Sequence, residues 1–432
     1  MTAKPHRRAL RSVAVAAIGA FVLAGCASDD GGPVELTWYI NPDNGGQTAL
    51  AEQCSDASNG AYNISTSLLP RDAASQREQL ARRLAAGDKT MDIMSLDPPF
   101  VPELAEPGFL ATPPADVIER TTKDTLEGPA LAAQWEGEYV TVPFFANTQV
   151  LFYRKSVAEA AGLDMSQPVT WQQIMDAAET QDKYLGVHGI QGESMTVWVN
   201  GLIESAGGSI VQGDAASAEG IQLGLDSEAG DKAAAIIGNI GDKGLGGPGI
   251  SSQDESAAGV QFRGDKGSFM VNWPFVYPAA VAAAEEGSID QSVIDDIAWT
   301  TWPRVDADTE TAPPVGGINL GVGSDSQHQE EAWDAIECIV SPENQSSYMV
   351  SDGNPASSSV AYDDPEVQEA FPMSETIRES LDIAVPRPQT PYYNEVSTGI
   401  QQTWTPIYDV NENTPKESAE FITSVLNGEA ML

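Results

Sequence analysis

The chain has 432 residues, of which 63 are acidic and only 22 basic, so its formal net charge is −41. A protein this acidic repels phosphate backbones and anionic lipid headgroups, which argues against nucleic-acid binding and against docking on acidic membranes. Because 41% of the residues are hydrophobic and nine are tryptophan, the chain is not disordered, and its length suits two or three domains.

The first 25 residues predict a cleaved lipoprotein signal peptide. A basic start precedes an apolar run over residues 12–23, which leads into Leu23-Ala24-Gly25-Cys26. About a dozen apolar residues are typical of a secretory signal and are too few to span a bilayer. The cysteine after Leu-Ala-Gly resembles a bacterial lipobox, which implies that Cys26 becomes the lipidated N-terminus. An ordinary signal peptide is the alternative.

Residues 26–33, which are rich in Asp and Gly, predict a flexible, lipid-anchored leash. Residues 1–25 hold four basic and no acidic residues, so the remaining 407 residues carry a formal net charge of −45. We therefore expect an extracytoplasmic protein that is anchored by its lipid to the outer face of the cell membrane.

Two cysteines remain once Cys26 carries a lipid. Cys54 and Cys338 each lie in a predicted helix, in a compartment where disulfides persist. We expect them to pair, and a pair of buried free thiols is the alternative.

Strand and helix patterns alternate along the rest of the chain. They predict strands over 35–40, 91–96, 139–143 and 149–153, and helices over 47–57, 75–86, 171–181, 196–206, 232–240 and 330–340. Asp97 follows the strand over 91–96 and precedes two prolines. Ligands of open α/β sheets bind at the carboxyl ends of strands, so Asp97 is a candidate binding residue.

Motifs for metals and cofactors are weak. Residues 244–249 match G-x-G-x-x-G, but no predicted strand precedes them and Pro248 interrupts them, so they indicate a loop. Only His188 and His328 remain after signal cleavage, and neither has a Cys or Asp at ligand spacing. We therefore expect no metal site and no cofactor.

Three segments resemble the extracytoplasmic sugar-binding proteins that serve ABC importers, the family of maltose-binding-protein-like receptors. They are Val142-Pro143-Phe144-Phe145-Ala146-Asn147-Thr148-Gln149, residues 262–274 ending in Asn272-Trp273-Pro274, and Val315-Gly316-Gly317-Ile318-Asn319-Leu320. The resemblance covers nearly all of the mature chain in the right order. It is greatest to the actinobacterial trehalose-binding lipoproteins, through residues 69–71, 79–84, 272–275 and 387–391.

This resemblance implies an α/β fold of the two-lobed periplasmic-binding-protein type II, with a hinge and a ligand cleft between the lobes. Lobe I would comprise 34–144 plus 317–355, and lobe II 145–316 plus 356–432. Hinge motion at 145–148 and 315–317 would close the lobes on a ligand. The protein would then be a monomeric receptor, not an enzyme, that delivers its ligand to permease subunits with a cytoplasmic ATPase.

Sugar binding needs carboxylates and amides for hydroxyl groups and aromatic planes for C–H faces. The candidates are Asp97, Asn147, Glu255, Trp273 and Arg387, with Asn41, Asn44, Gln76, Glu193, Trp198 and Gly317 as weaker ones. Glu255 depends mainly on the resemblance. The alternatives are a loop cap for Asp97, a turn residue for Asn147, a core side chain for Trp273 and a surface ion pair for Arg387.

Trehalose is the first choice of ligand because of the resemblance, but residues 41–46 depart from it, and maltose or a small malto-oligosaccharide would use the same residue types. A secreted glycoside hydrolase is a second hypothesis, with Asp97 and Glu255 as its paired carboxylates. A receptor for a peptide or a polyamine is a third. Trp273 beside Phe275 and Tyr277 favours a sugar.

Overall fold

The computed structural model describes residues 32–71 and 73–432. The predicted signal peptide, the lipidated Cys26 and most of the predicted leash lie outside the described residues. In the part of the chain that the structure describes, no helix is both long and apolar enough to cross a membrane.

The described residues form thirteen strands and eighteen α-helices. The strands are β1 Val34–Ile40, β2 Tyr62–Leu68, β3 Ile93–Leu96, β4 Gln134–Trp135, β5 Glu138–Tyr139, β6 Val142–Thr148, β7 Val150–Arg154, β8 Tyr184–Gly186, β9 Val211–Gly213, β10 Ile221–Leu223, β11 Gly267–Asn272, β12 Ile297–Thr300 and β13 Val315–Gly321. The helices are α1 Gly46–Ala57, α2 Ala73–Ala85, α3 Val101–Ala105, α4 Ala115–Thr122, α5 Glu127–Ala132, α6 Lys155–Ala161, α7 Trp171–Thr180, α8 Glu193–Ser205, α9 Glu228–Asp242, α10 Glu255–Arg263, α11 Val276–Glu285, α12 Gln291–Asp295, α13 Gln329–Ile339, α14 Pro342–Asp352, α15 Pro365–Ala370, α16 Ser374–Asp382, α17 Tyr393–Thr403 and α18 Thr414–Leu426.

Two mixed sheets organise the molecule. The first has five strands in the order β2-β1-β3-β13-β6, in which β1, β2 and β3 are parallel and β13 is antiparallel to its neighbours. The second has four strands in the order β12-β7-β11-β8. We call the first sheet with its packed helices lobe I, and the second sheet with its packed helices lobe II.

Strand β3 lies in the middle of lobe I. All four of its residues are buried, and Ile93 enters one hydrophobic core while Met94 and Leu96 enter another. This alternation is expected of a strand whose two faces are both covered. The strand ends at Leu96 because Pro98 and Pro99 begin a 3₁₀ turn and cannot extend the ladder. Asp97 therefore leaves the sheet from a rigid strand.

The core of lobe II is built around helix α8. Eleven of its thirteen residues are buried, and its Trp198 packs against Trp171, which in turn contacts Trp302. A helix that is buried on nearly every side contributes few exposed side chains except at its ends. Its N-terminal part, at Glu193, Ser194 and Val197, faces the region between the lobes.

The chain passes from the first sheet to the second at the end of β6. Gln149, which is fully buried, is the single residue between β6 and β7. The sequence predicted that residues 144–147 interrupt two strands, but these residues belong to β6, in which residues 145–147 pair with β13. The expected lobe boundaries at 144/145 and 316/317 consequently fall inside β6 and β13.

Most predicted elements are confirmed with shifts of a few residues. The predicted strand over 91–96 begins at Ile93, and the predicted helix over 196–206 begins at Glu193. Residues 244–249 form turns after α9, as predicted for this glycine-rich segment. Strand β2 was not predicted.

A disulfide joins Cys54 to Cys338, as the sequence predicted. The bond links α1 to α13 across 284 residues of sequence, and both helices pack into the same lobe I core, beside Trp38. The disulfide therefore links two helices within lobe I and does not connect the two lobes.

Candidate functional site

A cleft of about 260 Å³ lies between the end of β3 and the first turns of α8 and α10. Its lining residues are Asp97, Asn147, Glu193, Ser194, Val197, Glu255, Trp273, Phe275, Gly316, Gly317 and Arg387. A larger surface cavity of about 410 Å³ beside Arg120 and Glu337 is lined by side chains that already pair with one another. The cleft differs because carboxylates, an amide, a guanidinium and aromatic rings converge on it from several elements.

Asp97 and Arg387 form an ion pair across the cleft. Arg387 Nη2 donates to Asp97 Oδ1 at 2.6 Å, and the Arg387 side chain is only 7% exposed. Prolines on both sides of Arg387 restrict its backbone, and Asn200 of α8 donates to the carbonyl of Pro386. The guanidinium is therefore held by lobe II, and it reaches the strand end of lobe I.

Glu193, the first residue of α8, is the second carboxylate bound to Arg387. Its Oε1 accepts from Arg387 Nη1 at 2.8 Å and from the Tyr393 hydroxyl, and its Oε2 accepts from Ser397 Oγ at 2.8 Å. Helix α17 supplies both hydroxyl groups. Three donors thus fix the orientation of Glu193 and, through it, the guanidinium of Arg387.

A second contact between the lobes lies beside this network. The ring of Phe100, in the turn after Asp97, packs edge-on against Tyr393 with 5.8 Å between ring centroids. The end of β3 therefore meets lobe II through one ion pair and one aromatic contact.

Glu255 is the first residue of α10. Asp254 caps this helix by accepting from the Ala257 amide at 2.8 Å, which leaves the Glu255 carboxylate at the positive end of the helix dipole. Ser194 Oγ donates to Glu255 Oε1 at 2.6 Å. The first turns of α8 and α10 are thereby joined at the cleft wall.

Trp273 follows β11 and is half-buried. Asn272 is fully buried, donates to the Glu255 carbonyl at 2.9 Å and accepts from the Trp273 amide at 2.8 Å, so it fixes the aromatic residue next to α10. A Cβ at Gly316 would lie 3.1 Å from the Trp273 ring, which indicates that the ring packs directly on this glycine. Phe275, which is 41% exposed, lies at the rim.

The two crossing strands form the remaining wall. Asn147 of β6 pairs with Gly316 of β13, and its Oδ1 accepts from the Thr148 amide at 3.0 Å. Gly317 has a φ of 108°, and a Cβ there would lie 2.3 Å from the Phe145 carbonyl oxygen. Only glycine fits this conformation and this close backbone approach.

Burial and the neighbouring charges shift the pKa values of the ion-pair network. Burial raises the pKa of Asp97 above its usual value; Arg387 opposes the shift and Glu193 adds to it. Burial acts to lower the pKa of Arg387, but Asp97, Tyr393 and Glu193 outweigh it and raise that pKa. Burial, with Glu193, also raises the pKa of Tyr393. Arg387 and Tyr393 therefore keep their protons as hydrogen-bond donors.

The structure brings seven of the eleven binding candidates together at the cleft. They are Asp97, Asn147, Glu193, Glu255, Trp273, Gly317 and Arg387. It places the other four, Asn41, Asn44, Gln76 and Trp198, outside the residues that line the cleft.

Asn41 and Gln76 bind each other instead, since Asn41 Nδ2 donates to Gln76 Oε1 at 2.7 Å. Asn44 lies at a separate surface depression, where its amide donates to Asp352. Trp198 belongs to the lobe II core and is fully buried. The side-chain amide of Asn41 and the backbone amide of Asn44, both in the loop after β1, therefore bind partners within lobe I and not a ligand in the cleft.

Ser194 and Gly316 were missed by the sequence reasoning, as were Tyr393 and Ser397 behind the cleft. A serine next to a candidate glutamate at a helix start is a usable signal for Ser194. No comparable signal marks Tyr393 or Ser397, because they bind Glu193 across about two hundred residues of sequence.

Among the residues that the structure describes, no group of three or more His, Cys, Asp and Glu side chains is arranged to hold a metal ion. His188 is fully buried, and burial lowers its pKa although Glu255 and Asp254 oppose the shift. The cleft offers hydrogen-bond acceptors, donors and aromatic faces, which suit a polar ligand with apolar faces.

Comparisons with known proteins identify the family and the fold. The sequence pattern of the bacterial extracellular solute-binding protein family matches residues 62–346. A "Probable ABC transporter-binding protein" of Deinococcus radiodurans is 25% identical over 282 residues, which are 60% of this chain and 62% of the relative. The match therefore spans less than two thirds of that relative's length.

Solved structures of low sequence identity share the fold. The sugar-binding protein MalE of Xanthomonas citri has a TM-score of 0.76 and 17% identity, over 91% of this chain and 98% of that one. Maltose-bound MalE3 of T. maritima has a TM-score of 0.72 and 21% identity, over 92% of this chain and 100% of that one. The fold is the two-lobed periplasmic-binding-protein type II fold. The chain belongs to the bacterial extracellular solute-binding protein family, whose members are extracytoplasmic binding proteins and not enzymes.

Proposed function

We propose that this protein is the receptor of an ABC importer and that it captures a disaccharide, with trehalose as the first choice. The convergence of Asp97, Glu255 and Trp273 on one cleft between the lobes carries the proposal. Carboxylates accept hydrogen bonds from sugar hydroxyls, and an aromatic plane packs on a sugar's C–H face. Arg387 and Asn147 add donors to the same space.

The relatives support this ligand class. The Deinococcus protein is described as an ABC transporter-binding protein, and the two structural neighbours are a sugar-binding protein and a maltose-bound protein. Trehalose is preferred over maltose because of the sequence resemblance over residues 69–71, 79–84, 272–275 and 387–391. The family assignment leaves no role for the glycoside-hydrolase hypothesis.

Capture occurs by closure of the lobes in this proposal. The Asp97–Arg387 ion pair and the Phe100–Tyr393 contact join the lobes at the cleft, and residues 145–148 and 315–317 act as the hinge. A sugar that contacts both walls stabilises the closed form, which the permease subunits then recognise. The lipid on Cys26 keeps the monomeric receptor at the outer face of the membrane.

Calorimetric titration tests the proposal. Residues 27–432, freed of bound sugar, are titrated with trehalose, maltose, sucrose and glucose. We expect saturable binding of trehalose that is lost in Trp273→Ala and in Asp97→Ala. Trp299→Ala is the matched control, because Trp299 is also a half-buried tryptophan of lobe II but packs on Tyr277 outside the cleft.

Two outcomes contradict the proposal. If none of the four sugars binds to a folded sample, the sugar assignment is wrong, and peptides and polyamines are the next ligands to titrate. If trehalose binds equally well to Trp273→Ala and to the control, the sugar lies elsewhere.

A further inference from the structure

The charges that line the cleft do not balance. Asp97, Glu193 and Glu255 are three carboxylates, and Arg387 is the single cation among the described lining residues. Arg387 is already shared, since Nη2 donates to Asp97 at 2.6 Å and Nη1 donates to Glu193 at 2.8 Å. Its charge is therefore committed to two of the three carboxylates.

Glu255 has no such partner. Within the described chain it takes part in no ion pair, and its carboxylate accepts from the neutral hydroxyl of Ser194. The Arg387 side chain is only 7% exposed, and turning it toward Glu255 would take the cation away from Asp97 and Glu193, whose side chains are 21% and 39% exposed. The positive end of the α10 dipole lies at the Glu255 carboxylate but supplies no full positive charge.

Aromatic faces lie in the same cleft. Trp273 is tied to α10 through Asn272, which donates to the backbone carbonyl of Glu255. Phe275 lies two residues further on and is 41% exposed. Both rings line the cleft together with the Glu255 carboxylate, and aromatic faces and carboxylates both favour positive charge.

We infer that the cleft prefers a sugar that carries one ammonium group over the neutral sugar of the same skeleton, and that Glu255 is the residue that selects it. This inference depends on the proposed function, because it specifies which sugars the receptor takes. A ligand ammonium donates a charge-assisted hydrogen bond to Glu255 where a neutral sugar donates only a hydroxyl. A carboxylate on the sugar meets the excess negative charge and is rejected.

Matched titrations of the full chain, purified in detergent and freed of sugar, test the inference. The ligands are trehalose, its 2-amino-2-deoxy derivative and the derivative in which one primary hydroxyl is oxidised to a carboxylate; the same series is made from maltose. For whichever parent sugar binds, we expect its amino derivative to bind about tenfold more tightly. This ratio corresponds to about 1.4 kcal/mol of binding free energy. We expect the acidic derivative to bind at least tenfold more weakly.

Two variants assign the preference. Glu255→Gln keeps the size and the acceptor oxygen of the side chain but removes the charge, and it should reduce the ratio of the two affinities to about one. Asp254→Asn removes a charge one residue earlier, keeps a residue that caps helices well, and does not touch the cleft lining, so the ratio should stay at about ten.

The outcomes separate the two proposals. If a neutral sugar binds and its amino derivative binds no more tightly, the inference is wrong and the proposed function stands. If the preference survives in Glu255→Gln, Glu255 does not select the ligand. If neither neutral nor amino sugars bind, the proposed function fails, and this inference fails with it.

Discussion

The two lobes are stabilised in different ways and contribute unequally to the cleft. Lobe I carries the Cys54–Cys338 disulfide and provides one ionisable lining residue, Asp97. Lobe II, in its described residues, has no disulfide and provides Glu193, Glu255, Trp273 and Arg387.

In lobe I, the disulfide that stabilises the fold is separate from the residue that lines the cleft. In lobe II, the same side chains stabilise the fold and line the cleft. The disulfide of lobe I lies between α1 and α13, away from the lining residues. In lobe II, the hydroxyl groups of Tyr393 and Ser397 on α17 donate to Glu193 of α8, which also orients Arg387. A change in the lobe II network should therefore affect folding and binding together, whereas a change in the disulfide should affect folding alone.

The largest effect is expected for Arg387→Met. This change leaves Asp97 and Glu193 close together without a cation, and breaking such a buried pair costs about 3–5 kcal/mol. We expect the free energy of unfolding, measured with urea, to fall by that amount and sugar binding to be lost in calorimetry.

Arg120→Met is the control for a lost arginine. Arg120 pairs with Glu337 and Asp116 on the surface of lobe I with its side chain 47% exposed, so a much smaller loss of stability is expected. If Arg387→Met kept full stability and lost only binding, the proposed coupling in lobe II would be wrong.

Removal of the disulfide by Cys54→Ala with Cys338→Ala should have the next largest effect. A disulfide across a long loop typically contributes about 2–5 kcal/mol, mainly by restricting the unfolded chain. We expect that loss in urea unfolding while the affinity for the sugar stays the same. A weakened affinity for the sugar would show that the disulfide of lobe I also positions Asp97.

A pH-dependent effect is expected from Glu204, which lies on α8 away from the cleft. Burial raises the pKa of Glu204 from 4.5 to about 7, although a hydrogen bond from Ser209 opposes the shift. Its stabilising contribution is complete below pH 4.5, where both the folded and unfolded states hold the proton, and is lost as the pH rises through 7.

Glu204→Gln has no such dependence. Relative to this variant, the wild-type free energy of unfolding should fall by up to about 1.4 kcal/mol for each pH unit between 4.5 and 7, as measured by urea unfolding at several pH values. A difference that stays constant with pH would contradict the assignment. Sugar affinity should be equal in the two proteins, because Glu204 does not line the cleft.

The smallest effect is expected for Ser194→Ala, which removes the hydroxyl that donates to Glu255. A hydrogen bond of this kind contributes about 0.5–1.5 kcal/mol, so we expect the affinity for the sugar to fall by about two- to tenfold. The exposed Ser256 on α10 gives a control, and Ser256→Ala should leave the affinity unchanged. Equal affinities for both variants would show that Ser194 does not position Glu255.

Much of the fold was predictable because its signals are local. The strand that ends at Asp97 is marked by an apolar run followed by two prolines, and the predicted helices show regular apolar spacing. The structure also places the candidates Asn147, Glu255 and Arg387 at one cleft with Asp97. Among these four, Glu255 was a candidate mainly because of the family resemblance.

The remaining features depend on partners that are distant in sequence. Residues 144–147 form part of β6, and residues 145–147 pair with β13, a strand that begins about 170 residues later. Asn44 follows strand β1 as Asp97 follows strand β3, but the backbone amide of Asn44 donates to Asp352 within lobe I. Trp198, a binding candidate in the sequence analysis, is a core side chain because α8 is buried on nearly all sides.

The distribution of the tryptophans has a spectroscopic consequence. Seven of the nine are buried, and Trp171 packs against both Trp198 and Trp302 in the core of lobe II, away from solvent. Trp273 is half-buried and is the one tryptophan among the described residues that line the cleft. A ligand that displaces water from its indole changes the emission of this residue while the buried rings give a constant background. The native protein therefore carries an intrinsic fluorophore at the place where its ligand is proposed to bind, and occupancy of the cleft can be followed without a label.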